Sequence, residues 1–523
     1  MDSIESVIPY REVLKFEHAQ RGAYAQVEYT PTFRASAIFF VLVDSNINTH
    51  VSFMNYWREK NGNPSVSAML TLRTKEGRKI HRDFFALEDF AYQFSLRDLV
   101  ARETPFVGSL EVELFSTQDL KYAFPAIEVF HETSTGISFV HSNQRVFNSI
   151  EDLDRNSAMN PWQTGFDLYV NDEYGSWLSI INGPRQVKDS KAILKIYNAD
   201  GDVMDATIPL GDLAPYAARF ILLKEAPSVQ AFLKGDVGFC KVNFDTFGVF
   251  ARIACGTLSH DASRFTVTHS YYDCSAHSDY YQKSGRKDDE YACFLPFNLL
   301  EGLDLDLIFY PIYARSTLLF SIDCFSPDGG VRARIDMVAS LDSTGTKMLR
   351  LNVRELLSAR GISPDNSLYC LHVDSPDGRI PARVPFGLNY RKGELGCNIN
   401  SSMLMNDGHG VRQRLYLWGP LICREAGGSW ILLSHLSKIR DAREEAEISL
   451  KVFTQSGPIF HERYRTRNGT ALNLNARALI SQSGYQPRVD EILWYTLESS
   501  CPNYVSNQIH VSQSGFVGGD HSF

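Results

Sequence analysis

The sequence predicts a mainly β chain: tandem antiparallel β-sandwiches of immunoglobulin-like shape, about four units with few short helices. Three observations predict it. Hairpin signatures recur at near-constant spacing, two-residue strand periodicity dominates, and helical stretches are short and interrupted. The hairpins are LTLRTKEGRKI around Gly77, LKIYNADGDVM around Gly201, IDCFSPDGGVR around Gly329 and LKVFTQSGPIF around Gly457, at steps of 124, 128 and 128 residues. In each, an alternating strand runs into a polar residue followed by Gly, the residue that supplies the positive φ of a tight hairpin. Four chance hairpins would not keep step.

Other features travel in the same register. After each hairpin comes a leucine-rich piece: SLRDLV from Ser95, PLGDLAP from Pro209, LNVRELL from Leu351 and LNARALI from Leu474. The third predicts a helix over Leu351 to Arg360, and a second helix is expected at Lys438 to Ile448. Clean strand alternation follows in GSLEVELFS, at Leu110, Val112 and Leu114. The first two units close with SFVHSN at His141 and TVTHSY at His269, again 128 apart. The third closes with NINSSM, where Asn400 replaces the histidine, and the fourth is assigned QIHVSQ at His510, out of step by about twenty residues.

These landmarks divide the chain into a leader at 1–24 and sandwich units at 25–156, 157–282, 283–410 and 411–523. The second carries a His/Asp cluster; the fourth is divergent and ends in the Gly-rich string SGFVGGDHSF, expected to be a mobile tail. A unit this long exceeds a solenoid repeat of roughly 20–50 residues, so each should own a core. The immunoglobulin Cys-Trp-Cys hallmark is absent, so the prediction is of architecture and not of that superfamily.

Composition agrees and excludes several function classes. With 523 residues, 44% apolar and 22% charged, the chain is long enough for several cores and is not disordered. Its 52 basic and 61 acidic side chains leave a net charge of -9 without a long block of one sign, which argues against nucleic acid as a partner. The opening MDSIESVIPYREVLKFEHAQ lacks a signal-peptide core, and the longest apolar run, Ala35 to Val43, reads as a buried strand. A cytoplasmic protein without membrane insertion is therefore expected. Nine cysteines, with no C-x-x-C, read as reduced, buried thiols. Asn468-Gly469-Thr470 fits a glycosylation pattern but reads as a turn. Phosphate-binding glycine loops are missing.

Candidate chemistry centres on the closing strings. The repeated His141 and His269, followed by Asn143 and Tyr271, suggest one ligand-contacting rim built twice, suited to a polyhydroxy ligand. The alternative is that they are strand ends shared by descent, their polar groups satisfied locally. A second candidate is a divalent-metal site of zinc or iron drawn from His260, His269, Asp273 and His277, although the four-residue spacing suits a helix better than this β-rich stretch. Cys274 with a neighbouring histidine would be a nucleophile only in an elbow that the sequence lacks, and the contiguous Ser259-His260-Asp261 alternates faces on a strand. Aromatic groups at SFMNYW, YGSWLSI and LYLWGP would either stack on sugars or fill cores. The expected function is a non-catalytic, multi-domain binding or scaffold protein with a protein or carbohydrate partner. The alternatives are a metal-dependent enzyme using His269, Asp273 and His277, and a structural subunit of a homo-oligomer.

Overall fold

Alternating apolar residues set the strands of the first unit in the computed structural model: β1 (Phe33–Val43), β2 (Asn48–Met54), β3 (Val66–Thr74), β4 (Lys79–Ala86), β5 (Ala91–Ser95), β6 (Phe106–Ser116), β7 (Glu128–Glu132) and β8 (Ile137–His141). They form two antiparallel sheets, ordered β1-β6-β3-β4 and β5-β2-β7-β8. Leu110, Val112 and Leu114 of β6 bury with Ala37, Phe39 and Val41 of β1 between the sheets, as period-two alternation requires. The structure describes residues 32–100, 104–122, 124–141, 144–147, 162–250, 252–273, 280–282, 289–406, 414–423, 427–440 and 442–523.

The same strand order returns in each later unit. In the fourth, Leu415–Ile422, Ile492–Ser499, Glu445–Thr454 and Gly457–Arg467 form one sheet, and Thr470–Asn475, Gly428–His435, Tyr504–Val511 and Val517–His521 the other. The third matches it with one added edge strand, Leu404–Met405, and the second has its first strand broken into two short pieces, Gln163–Thr164 and Asp167–Leu168. The chain is thus mainly β, in four tandem antiparallel sandwiches.

Helices are short: α1 (Tyr56–Asn61), α2 (Leu96–Val100), α3 (Pro227–Leu233), α4 (Val353–Ser358) and α5 (Ala476–Ser483). Asn352 and Asn475 cap α4 and α5, their side-chain oxygens accepting from the backbone N–H of Glu355 at 3.0 Å and Ala478 at 3.1 Å. The helix expected at Leu351 to Arg360 is shorter, because Leu351 pairs with Leu307 in a sheet. The helix expected at Lys438 to Ile448 does not form. Its final residues open the strand Glu445–Thr454, where Ile448, Leu450 and Val452 are buried at period two.

Each unit owns a core, and four smaller apolar clusters join the units. Phe40 and Val140 meet Trp177 and Phe265 between the first and second. Tyr197 and Phe239 meet Ile308 and Tyr310 between the second and third. Tyr291, Phe294 and Phe325 meet Leu436 between the third and fourth. Phe130 and Phe139 meet Ile422 and Ile492 between the fourth and first, which closes the row into a ring.

The hairpin glycines serve this closure. A Cβ on Gly77 would stand 2.0 Å from the carbonyl oxygen of Pro215, and one on Gly329 would stand 2.2 Å from that of Asn468; both glycines have positive φ. Gly201 faces Thr346, and Gly457 faces Phe90 of the first unit, but a Cβ there would make ordinary contacts at 3.7 and 3.5 Å. Every hairpin therefore touches the turn between the fourth and fifth strands of the next unit.

The closing string SGFVGGDHSF is a strand and not a mobile tail. Val517–His521 pairs with Tyr504–Val511, and a Cβ on Gly518 would lie 2.1 Å from the Ile137 carbonyl oxygen, so small residues let it pass between its neighbours. The eight described cysteines are free, all buried except the half-buried Cys423. Asn468 is 2% exposed with its amide donating to the Ala442 carbonyl at 2.9 Å, which leaves no room for a glycan. Among the described residues no helix is long and apolar enough to cross a membrane.

Gly77 and Gly211 both have positive φ, but nothing lies within 4 Å of a Cβ on Gly211. Gly211→Ala should cost about 1 kcal/mol, the left-handed strain alone. Gly77→Ala should cost at least about 2 kcal/mol more, because the seam must open. Urea unfolding of the two variants checks this; equal losses would show that the hairpin contact is not needed.

Candidate functional site

The last strand of each sandwich faces the middle of the ring. With β8 these are β9 (Thr268–His269), β10 (Gly396–Ser402) and β11 (Val517–His521). β8 touches β9 and β11, and β10 touches the same two. One position on these strands carries His141, His269, Asn400 and His521, with Asp520 beside the last. The His141 ring centroid lies 4.6 Å from that of His269 and 4.5 Å from that of His521, while His269 and His521 are 6.0 Å apart. Histidine residues separated by hundreds of positions thus share one buried centre.

Their hydrogen bonds fix the rings. The His141 backbone N–H donates to Asp520 Oδ2 at 2.7 Å, and His141 Nδ1 contacts the same oxygen at 2.7 Å. Asp520 Oδ1 accepts from the His521 backbone N–H at 2.8 Å. His269 Nδ1 lies 3.1 Å from the Ser270 carbonyl oxygen, and His521 Nδ1 lies 3.0 Å from that of Ser522. Carbonyl and carboxylate oxygens only accept, so each Nδ1 carries the proton, and a neutral ring then keeps its lone pair on Nε2. His269 is 1% exposed and its Nε2 has no partner. Asn400 steadies the same strand end, donating from Nδ2 to the His269 carbonyl at 2.8 Å.

Glu128 on β7 stands opposite His141 in the sheet register. It is fully buried; Gln508 Nε2 approaches Oε1 at 3.5 Å, and Oε2 has no partner. Burial, then the charge of Asp520, raises the Glu128 carboxyl well above the usual range. Burial works the same way on Asp520, but the His141 imidazole beside it, followed by His521 and His269, holds that carboxyl well below the usual range. Burial, then Arg252 and His141, lowers His269, and burial, then His141, brings His521 down to about 4.

The centre opens on a cavity of about 620 Å³ between the first and fourth units, with His141 and His521 among its lining. Aromatic faces dominate the rest. Trp418 stacks on Phe523 at 5.6 Å and lies tilted against Tyr56 of α1 at 4.6 Å, and Lys60 Nζ sits 4.4 Å above the Trp418 ring. Tyr122 and Phe124 on the rim are 51% and 39% exposed. Trp418 Nε1 and Asn61 Nδ2, both on lining residues, are buried donors without partners.

The structure brings together only part of what the sequence suggested. His141 and His269, expected to mark one rim built separately in two units, instead meet at a single centre, and Tyr271 packs edge-on against His269 at 5.2 Å. Asn143, Cys274 and His277 lie outside the described residues. Asp273 is not beside His269's partners but is paired with Lys241 Nζ at 2.6 Å. His260 is exposed in a turn, where Ser259 Oγ donates to Asp261 at 2.6 Å. The fourth histidine of the series is His521, not His510. His510 lies one strand earlier, its Nδ1 3.2 Å from Ser429 Oγ. Sequence reasoning missed Asp520, His521 and Glu128. A signal existed for His521: DHSF repeats the His-Ser pair of VHSN and THSY. Nothing in the sequence marked Glu128.

No protein-family model matches the chain, and no curated protein does. Among solved structures, a glycoside hydrolase family 32 protein from Bifidobacterium adolescentis aligns over 92% of this chain and 95% of its own at 9% identity, with a TM-score of 0.13. A score that low carries no argument about fold or function.

Glu128 generates a pH prediction. A carboxyl whose folded value is raised favours the folded state below its unfolded value, near 4.5, and loses that advantage as pH rises. Glu128→Gln should therefore stabilise the protein at pH 7.5, by on the order of 1–3 kcal/mol, and give no gain at pH 4. Chemical unfolding at the two pH values checks it; a gain independent of pH would contradict the assignment.

Proposed function

We propose that this is a non-catalytic binding protein whose ligand, a small carbohydrate or similar polyhydroxy molecule, seats in the cavity between the first and fourth sandwiches. One observation carries the reading: an aromatic wall of Trp418, Tyr416 and Phe523 combined with two buried, unpartnered donors, Trp418 Nε1 and Asn61 Nδ2. Sugar rings present apolar C–H faces that stack on aromatics and hydroxyl oxygens that accept from fixed donors, so this wall offers both halves of their chemistry. Both donors lie under the cavity wall, closed to solvent, so a hydroxyl would recover the cost of leaving them unsatisfied only by shifting that wall.

The duplicated architecture supports the same reading. The cavity is built from α1, the segment after β6, and the strand Leu415–Ile422, so it exists only because the ring closes. Tyr416 and Trp418 come from the LYLWGP string and Tyr56 from SFMNYW, two of the aromatic groups the sequence offered for stacking. Tyr56 and Trp418 are almost as buried as the core residues Trp57 and Trp177, at 1% and 4% exposed, so only the edges of these rings that line the cavity are open to a ligand.

Titration calorimetry against a panel of mono- and oligosaccharides tests the proposal. A saturable ligand is expected, and Trp418→Ala should weaken it about tenfold or more. Trp418→Phe, which keeps a ring but loses the N–H, should fall between. A panel without binders, or a binder indifferent to both variants, would remove the support.

A further inference from the structure

We infer that the centre of the ring is a binding site for one divalent transition-metal ion of the zinc class, held by the imidazoles of His141, His269 and His521, with Asp520 as the positioning carboxylate. The inference goes beyond the cavity reading and does not rest on it.

Three observations carry it together. First, His141, His269, Asp520 and His521 each offer a ligand atom, and all four atoms lie within 4.8 Å of one another. Donors bound to one ion at roughly 2.0–2.2 Å stand about 3.3–4.4 Å apart, so a gathering of this size needs only small ring movements to close on an ion. Second, every Nδ1 is already spent on an oxygen: Asp520 for His141, the Ser270 carbonyl for His269 and the Ser522 carbonyl for His521. This is the arrangement that orients a metal-binding imidazole, because the outer hydrogen bond fixes the tautomer and leaves Nε2 as the donor atom. Third, His269 Nε2 is buried and has no partner, although an unused lone pair in the interior is costly.

Ligand type selects the ion. Three neutral imidazoles suit zinc and its transition-metal neighbours; magnesium and calcium take oxygen ligands instead. Asp520 Oδ2 already faces both the His141 backbone N–H and Nδ1, and Oδ1 accepts from the His521 backbone, so its carboxylate acts by orienting the rings. The other group of metal-binding side chains among the described residues, His435, Glu444 and Cys501, makes a useful contrast. There the groups satisfy one another: the Cys501 thiol donates to Glu444 at 3.3 Å and lies 3.5 Å from His435 Nε2. In the central set Asp520 satisfies His141 through Nδ1, but His269 Nε2 is left without a partner. Because His141 and His521 also line the cavity, an ion held between them would border it.

The test uses the full chain, stripped with chelator and titrated with zinc chloride in a calorimeter. One equivalent should bind; magnesium and calcium chloride at the same concentrations should not. His269→Gln and His521→Gln should each weaken zinc binding by about 100-fold or more. Asp520→Asn should weaken it by about 10–100-fold, the usual effect of losing an orienting partner. His461→Ala, which removes an exposed histidine, should change nothing. Cobalt substitution of the unaltered protein gives a readout independent of any variant's folding: an intense visible band indicates four- or five-coordination by protein nitrogen, and the pale spectrum of the hydrated ion overturns the site. Absence of zinc binding by the folded protein, or binding undiminished in the His269→Gln, His521→Gln double variant, also overturns it.

Discussion

The close approach of four β-strands at the centre of a ring is the constraint on which the rest of this structure depends. Each sandwich must present its last strand inward and its third-to-fourth-strand hairpin sideways, and at two of the four seams the hairpin fits against the next unit only without a side chain at its tip. Gly77 and Gly329 meet that requirement against neighbouring backbone carbonyls, and Gly518 meets it again at the centre against Ile137. Four aromatic-rich seams then share the load, so no unit has two free ends. The seam between the fourth and first units makes the assembly cyclic, and it also creates an aromatic cavity that touches the central cluster.

A cyclic arrangement of duplicated units concentrates chemistry in a way a linear row cannot. One strand position, copied four times, arrives four times at the same point in space. Where the copies keep histidine, imidazoles accumulate; where one has diverged, as at Asn400, the side chain turns to holding the backbone of its neighbour. Asp520 then does what a single repeat could not do for itself, reaching from the fourth unit to orient the histidine of the first. The buried carboxyl of Glu128, one strand back, adds to this polar centre.

Much of the fold was legible in the sequence. The hairpin spacing, the period-two strands and the leucine-rich pieces are local signals, and local backbone preference determines them. Even the failure at Lys438 to Ile448 was local: charged residues alternating with Ile448 and Leu450 satisfy a strand, and the helical pattern read there overlooked that period. The Gly-rich ending misled for a different reason. Glycine marks both chain freedom and close packing, and only the neighbouring strands show which of the two operates.

The amino-acid sequence alone determined that this chain folds as four β-sandwiches and that histidine recurs at one position of the repeat, because strand period and turn chemistry act over a few residues. Only the tertiary structure decided which of those histidines meet. Convergence of His141, His269 and His521 depends on the angle between successive sandwiches and on closure of the fourth against the first, and these are set by packing between residues hundreds of positions apart. It is for that reason that Asp273 went to Lys241 while Asp520, near the far end of the chain, reached the centre.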